Sequence, residues 1–199
     1  MGKKDEKLAD TLHKFKLDYN SPVTLTFAFI SFGALILGYI TGGWTTKAIF
    51  SVYRSSLLNP LSYVRVFGHV LGHANLEHYM NNMLTLLLLG PMLEEKYGSK
   101  SILECIGITA VVTGIINCML FPNTALLGAS GIVFMMIIMS SVVSIKEGYI
   151  PLTLILVVIL YLGNQIVQGL FSQDNISQLT HIIGGVLGGI FGFVLQKKK

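Results

Sequence analysis

Charged residues are scarce in this chain. Lysine, arginine, aspartate and glutamate make up 12% of its 199 residues, against roughly 25% in a soluble domain. Few charges exclude an ordinary water-exposed surface. Cysteine is scarcer still. Cys105 and Cys118 are the only two, and both lie in one apolar run. That excludes a disulfide framework and a CxxC metal pair, and leaves two small buried hydrophobes. Repeats and low-complexity tracts are absent apart from the terminal lysines. What the chain does have is apolar bulk, with 52% hydrophobic residues and a mean hydropathy of +0.67. The length suits one compact domain, and the composition places it in a membrane.

A helix that crosses a bilayer needs about 20 mostly apolar residues. Six runs reach that length, at 22–40, 76–93, 101–120, 126–145, 150–170 and 178–195. The separators are short and polar: EEKYGSK, FPNT, KEGY and FSQDNIS. The expected fold is an all-α membrane protein, a six-helix transmembrane bundle over residues 22–195. A polar segment, 1–21, precedes it and a basic tail, 196–199, follows. The first run has no small-residue cleavage site before its end, so it does not read as a cleaved signal peptide.

Six spans leave both termini on one side. Of the 14 lysines and arginines, all but Lys47, Arg54 and Arg65 fall on that side. Cationic loops stay in the cytoplasm, so both termini are expected there. The net charge of +4 is then a topology signal and a headgroup contact, which argues against a nucleic-acid partner. One outer segment, 42–75, is too long for a turn and too polar to span. It mixes Trp44, Phe50, Tyr53, Tyr63 and Phe67 with Lys47, Arg54 and Arg65. That mixture suits either a partly embedded interfacial element or an ordinary outer loop.

Polar groups inside spans are costly, and they are candidates for function. The second span opens HANLEHYMNNM, carrying His73, His78, Asn81 and Asn82; the fourth carries Ser130, and the sixth His181. These three spans run in the same direction, and each polar group sits near the start of its own. At 1.5 Å per residue, Ser130, His78 and His181 lie within roughly 10 Å of the outer edge. A serine becomes a nucleophile when a base takes its proton, and histidine is the usual base. Acyl transfer also needs donors for the oxyanion. His78 and Asn82, four apart on one helix face, are side-chain candidates. Backbone N–H groups at the start of the Ser130 helix are others. No carboxylate occupies the sixth span to orient His181, and Asp174 lies seven residues earlier in a loop. The pair reads as a dyad.

Each feature has a plainer reading. A membrane serine beside glycines often marks a packing contact, and the glycines at 184, 185, 188, 189 and 192 mark close helix packing. His69, His73 and His78 could hold a metal, but only the first two have i, i+4 spacing and no carboxylate joins them. No metal and no cofactor is therefore expected. The serine does not sit in the GxSxG elbow of soluble hydrolases, because Ile132 replaces the last glycine.

Taken in order, the motifs resemble those of the rhomboid intramembrane serine proteases over about residues 22 to 195. The GxSG motif is Gly128, Ala129, Ser130, Gly131. HxxxN is His78 to Asn82, with His73 upstream. The sixth-span histidine is His181, followed by Gly184 and Gly185. EKYGS, 95–99, resembles the family's glutamate–glycine turn, with Glu94 in the place of the glutamate. The resemblance implies a multi-pass endopeptidase, read as one of a bacterial plasma membrane, that cuts membrane helices near the outer face. It implies Ser130 as nucleophile, His181 as general base, and His78, Asn82 and the Ser130 N–H as oxyanion hole. Gly128, Gly131, His73 and Phe134 would support them. Segment 42–75 would be the family's embedded first loop. Two departures stand out. Val64 precedes Arg65 where the family often has tryptophan, and Phe134 stands where it often has tyrosine. The implied partners are membrane lipid and transmembrane substrates with helix-destabilising residues near the outer interface, since a regular helix hides its carbonyls. The rival readings are a transporter or channel, with Asn164, Gln165 and Gln168 lining a polar path, and a non-catalytic platform for membrane proteins. A transporter would favour internal repeats, and a dead relative would lack Ser130 or His181.

Overall fold

A computed structural model describes residues 18–143, 145, 149–150, 152–157, 159–160 and 175–196. Most of the predicted fifth span lies outside the described residues. So do Asp174, Asn164, Gln165 and Gln168, most of the N-terminal segment and the terminal lysines.

The first helix, α1 (Pro22–Ile40), starts with proline at its first position, where no N–H is needed. Its orphan donors are capped from a distance. Glu94 Oε1 accepts from the Thr24 N–H at 2.7 Å and from the Thr24 hydroxyl at 2.6 Å, and Oε2 accepts from the Val23 N–H at 3.2 Å. A carboxylate there satisfies the backbone and the helix dipole together. Glu94 lies near the end of α4 (Leu76–Tyr97). Close by, a Cβ at Gly90 would collide with Thr24, so the two helices touch there. At their other ends the Leu76 N–H donates to the Tyr39 hydroxyl at 3.1 Å. α1 and α4 are thus antiparallel neighbours.

Between them, Gly42 and Gly43 turn the chain with φ of 60° and 87°. Two short helices follow, α2 (Trp44–Ala48) and α3 (Pro60–Gly68), then a 3-10 turn (His69–Leu71). Asn59 caps α3 by accepting from the Leu61 N–H at 3.0 Å. The polarity of α3 is inverted relative to a soluble protein: Arg65 is buried, whereas Leu61, Tyr63, Val64 and Phe67 are exposed. Arg65 Nε donates to the Ala48 carbonyl at 2.8 Å, and its guanidinium lies 4.4 Å from the centre of the Tyr53 ring. Tyr53 supplies the aromatic partner that Val64 cannot.

After α4, Gly98 breaks the chain with φ 85°, and α5 (Ser99–Leu120) begins at once. The predicted polar separator between these spans therefore shrinks to one residue. The central helix is α6 (Ser130–Val142), in which every residue from Gly131 to Met139 is buried. A short helix α7 (Leu152–Val157) and the long α8 (Asn175–Gln196) complete the described fold. Glycines let α8 lie on α6: a Cβ at Gly184 would strike the Gly131 backbone, and one at Gly188 the Met135 backbone.

The fold is helical. Among the described residues, the β-pairing is an isolated antiparallel bridge between Val52 and Leu126. Among the described residues, three helices are long and apolar enough to cross a membrane: Pro22–Ile40, Ser99–Leu120 and Gln178–Gln196. Their outward faces carry large apolar side chains such as Phe29, Ile40, Leu103 and Phe193, as lipid requires. α4 is long enough but carries more charge. α6 has 13 residues, about 20 Å, short of the roughly 30 Å of a hydrocarbon core. The sequence pattern predicts a span from residue 126, but the helix starts at Ser130. Leu126 is tied into its bridge and Gly128 has φ +123°, which stops a helix from forming earlier. Cys105 is buried as expected, whereas Cys118 is only partly so.

Candidate active site

The approach to Ser130 is fixed by backbone contacts. The Leu126 N–H donates to the Val52 carbonyl at 2.9 Å, and the Val52 N–H returns the bond at 2.9 Å. The Gly128 N–H donates to the His69 carbonyl at 2.9 Å. Asn117, near the end of α5, donates through Nδ2 to Val52 O at 3.3 Å and Thr124 O at 3.1 Å. Segment 121–129 is thereby stitched to the segment after α2 and to the 3-10 turn. Ser130 then opens α6, where first-turn N–H groups have no partner within the helix and the dipole favours negative charge.

Ser130 lines a cavity of about 390 Å³ with His78, Asn82, Thr85, Phe134 and His181. Three helices meet there by their starts. Phe134 lies one turn after Ser130 on the same face of α6. Its ring stacks on His181 at 4.2 Å between centroids and 7° between planes. That stacking needs the ring and not a hydroxyl, so phenylalanine meets it in place of tyrosine. Beneath it, Gly131 lets α8 approach, since a Cβ there would lie 3.1 Å from Thr180 Cγ2.

His78 reaches the site from α4. Its N–H donates to the Asn75 side chain at 2.8 Å, which caps the helix. Its ring covers Gly128, where a Cβ would lie 2.8 Å from both Cε1 and Nε2. Any side chain at 128 would displace that ring, and the positive φ also selects glycine. Asn82 Nδ2 donates to the His78 carbonyl at 3.0 Å. An amide nitrogen carries two protons, so one remains for a ligand in the cavity.

His73 sits behind His78, with ring centroids 5.0 Å apart and edge to face. Its Nδ1–H donates to the Leu71 carbonyl at 3.2 Å. Burial lowers His73 from the ordinary 6.5 to about 4, with the neighbouring His78 adding to the effect. His69 is lowered to about 4 by burial as well. Its Nδ1–H donates to the Val66 carbonyl at 3.0 Å, and its Nε2 lies 3.3 Å from the Thr113 hydroxyl. His69 thus lies apart from the cavity and braces the turn that holds Gly128. Among the described residues, no three histidine, cysteine or acidic side chains gather as a metal site.

The structure therefore brings Ser130, His181, His78 and Asn82 to one cavity, with Phe134 in its wall and Gly128, Gly131 and His73 behind it. The roles of Asn117 and Val52 do not show in the motif pattern. Asn117 was detectable as a polar side chain in an apolar run; the Val52 backbone carries no such signal.

The chain is similar to known proteins. The rhomboid domain profile matches residues 60–198. The rhomboid protease GluP of Bacillus subtilis is 30% identical over 182 residues, covering 86% of this chain and 34% of that protein. The rhomboid-type serine protease 2 of Eremothecium gossypii is 28% identical over 187 residues, covering 81% of this chain and 67% of that protein. The chain spans about a third of the first relative and about two thirds of the second. With the domain match covering well over half its length, this integral membrane chain belongs to the rhomboid family.

Proposed function

We propose that the chain is an intramembrane serine endopeptidase working through a Ser130–His181 dyad. The observation that carries the reading is the parallel stack of Phe134 on His181, which holds the imidazole over the helix face that begins with Ser130. The names of both relatives support it.

In this reading His181 takes the Ser130 Oγ proton as Oγ attacks a substrate carbonyl. The oxyanion receives hydrogen bonds from the Ser130 N–H, the second Nδ2 proton of Asn82 and the His78 ring. His181 then gives its proton to the leaving amine. Water, activated by His181, cleaves the acyl ester and restores the serine. The substrates are transmembrane segments with glycine, proline or polar residues near the outer interface, because only a locally opened helix offers its carbonyl.

The proposed topology is six spans with both termini in the cytoplasm, as for a bacterial plasma membrane protein. The lysine and arginine asymmetry supports it. The test is incubation of purified protein with a model single-span substrate and mass spectrometry of the products. Cleavage near the outer end, lost in Ser130→Ala and in His181→Ala, is expected. Retained cleavage in Ser130→Ala overturns the reading.

A further inference from the structure

A second, larger cavity lies away from the catalytic cluster. It measures about 890 Å³ and opens between α3 and the final turns of α5. Its apolar wall includes Val66, Phe67, Val111, Ile115 and Met119. The α5 members, at 111, 115 and 119, recur every four residues and form one helix face. Arg54 and Tyr63 also line it. Arg54 is exposed, and among the described residues no carboxylate is bonded to it. This differs from Arg65, which is buried and occupied with Ala48 and Tyr53. Arg54 and Cys118 line the same cavity, so the charge lies at it. The next acidic residue back along α5 is Glu104, 14 positions from Cys118, about 21 Å away along the axis.

We propose that this cavity binds one anionic glycerophospholipid, its phosphate on Arg54 and an acyl chain along the α5 face. The chemistry required of the occupant is a hydrocarbon body with an anion at one end. A bound lipid satisfies both at the level where α3 turns its apolar side outward. The volume lies within the roughly 300–1,000 Å³ of ligand sites.

The test is native mass spectrometry of the full chain in detergent, with phosphatidylglycerol or phosphatidylcholine of matched acyl chains added. Retention of one phosphatidylglycerol, favoured about fivefold over phosphatidylcholine, is expected from one arginine at a headgroup. Arg54→Gln should bring that ratio to about one, and Arg54→Lys should keep it. Ile115→Trp fills the cavity from a partly exposed position and should lower retention of both lipids. Size-exclusion profiles matching the parent protein would show that the variants fold. Unchanged preference in Arg54→Gln, or unchanged retention in Ile115→Trp, overturns the proposal. Displacement of the lipid by a model single-span peptide that cross-links to Cys118 also overturns it, in favour of a helix-docking groove.

Discussion

Replacing Gly184 by alanine tests how tightly the α6–α8 contact controls the chemistry. A Cβ at 184 would lie 2.9 Å from the Gly131 carbonyl carbon and 3.1 Å from its Cα, and closer still to the oxygen. Carbon atoms rest at about 3.5–4.0 Å, so the two backbones must part by about 0.5–1 Å. His181 lies three residues earlier on the same helix and would be carried away from Ser130. A misplacement of about 1 Å in a reacting pair costs on the order of 10²-fold in rate. Stability should suffer less. Overpacking costs about 1–3 kcal/mol, but alanine gains up to about 1 kcal/mol over glycine in a helix. The variant should therefore fold and melt slightly early while cleaving a model substrate about 10²-fold more slowly. Gly189→Ala is the control, since the nearest atom to its Cβ would be Ile138 Cγ2 at 3.8 Å. It should cleave as the parent does and melt no earlier. Turnover of Gly184→Ala equal to that of Gly189→Ala would refute the argument that this glycine contact places His181.

Asn82→Ala and His78→Ala should each slow turnover by about 10²–10³ without abolishing it, as for loss of one oxyanion donor; a loss as complete as that of Ser130→Ala contradicts the assigned roles. The double variant Ser130→Ala with His181→Ala should be little worse than either single one, since the members of the proposed dyad would act as a unit. Glu94→Ala leaves the Val23 N–H and both Thr24 donors without their carboxylate and should cost about 3 kcal/mol or more; a melting temperature within 2 °C or so of the parent would show the cap to be dispensable. Stability should also fall with pH between about 6.5 and about 4. His69 and His73 stay neutral in the fold down to about 4, whereas the unfolded chain takes up their protons below about 6.5. Thermal melts from pH 7 to pH 4 would record this, and the slope should lessen in His69→Asn; a midpoint that is flat over that range refutes it.

Much of the fold and of the candidate site was legible along the chain. Scarce charge and apolar runs pointed to a helical membrane protein, and three predicted spans coincide with membrane-capable helices to within three residues at each end. Ser130, His181, His78 and Asn82 stood out because polar groups are costly in an apolar run, so each demands a reason. The i, i+4 rule placed His78 over Asn82 before any coordinates. Periodicity reports only what lies on one helix face, and that is where the pattern stopped. It extended the fourth span back to residue 126, because a local apolar count cannot register a pairing with Val52, 74 positions away. Long separation along the chain likewise hid Glu94 capping α1 and the His69 carbonyl that holds Gly128. The sequence by itself determined which residues could do chemistry. Only tertiary packing decided where they stand, because the glycine contacts of α6 with α8 and the backbone bonds around Leu126 and Gly128 join segments that no local rule connects.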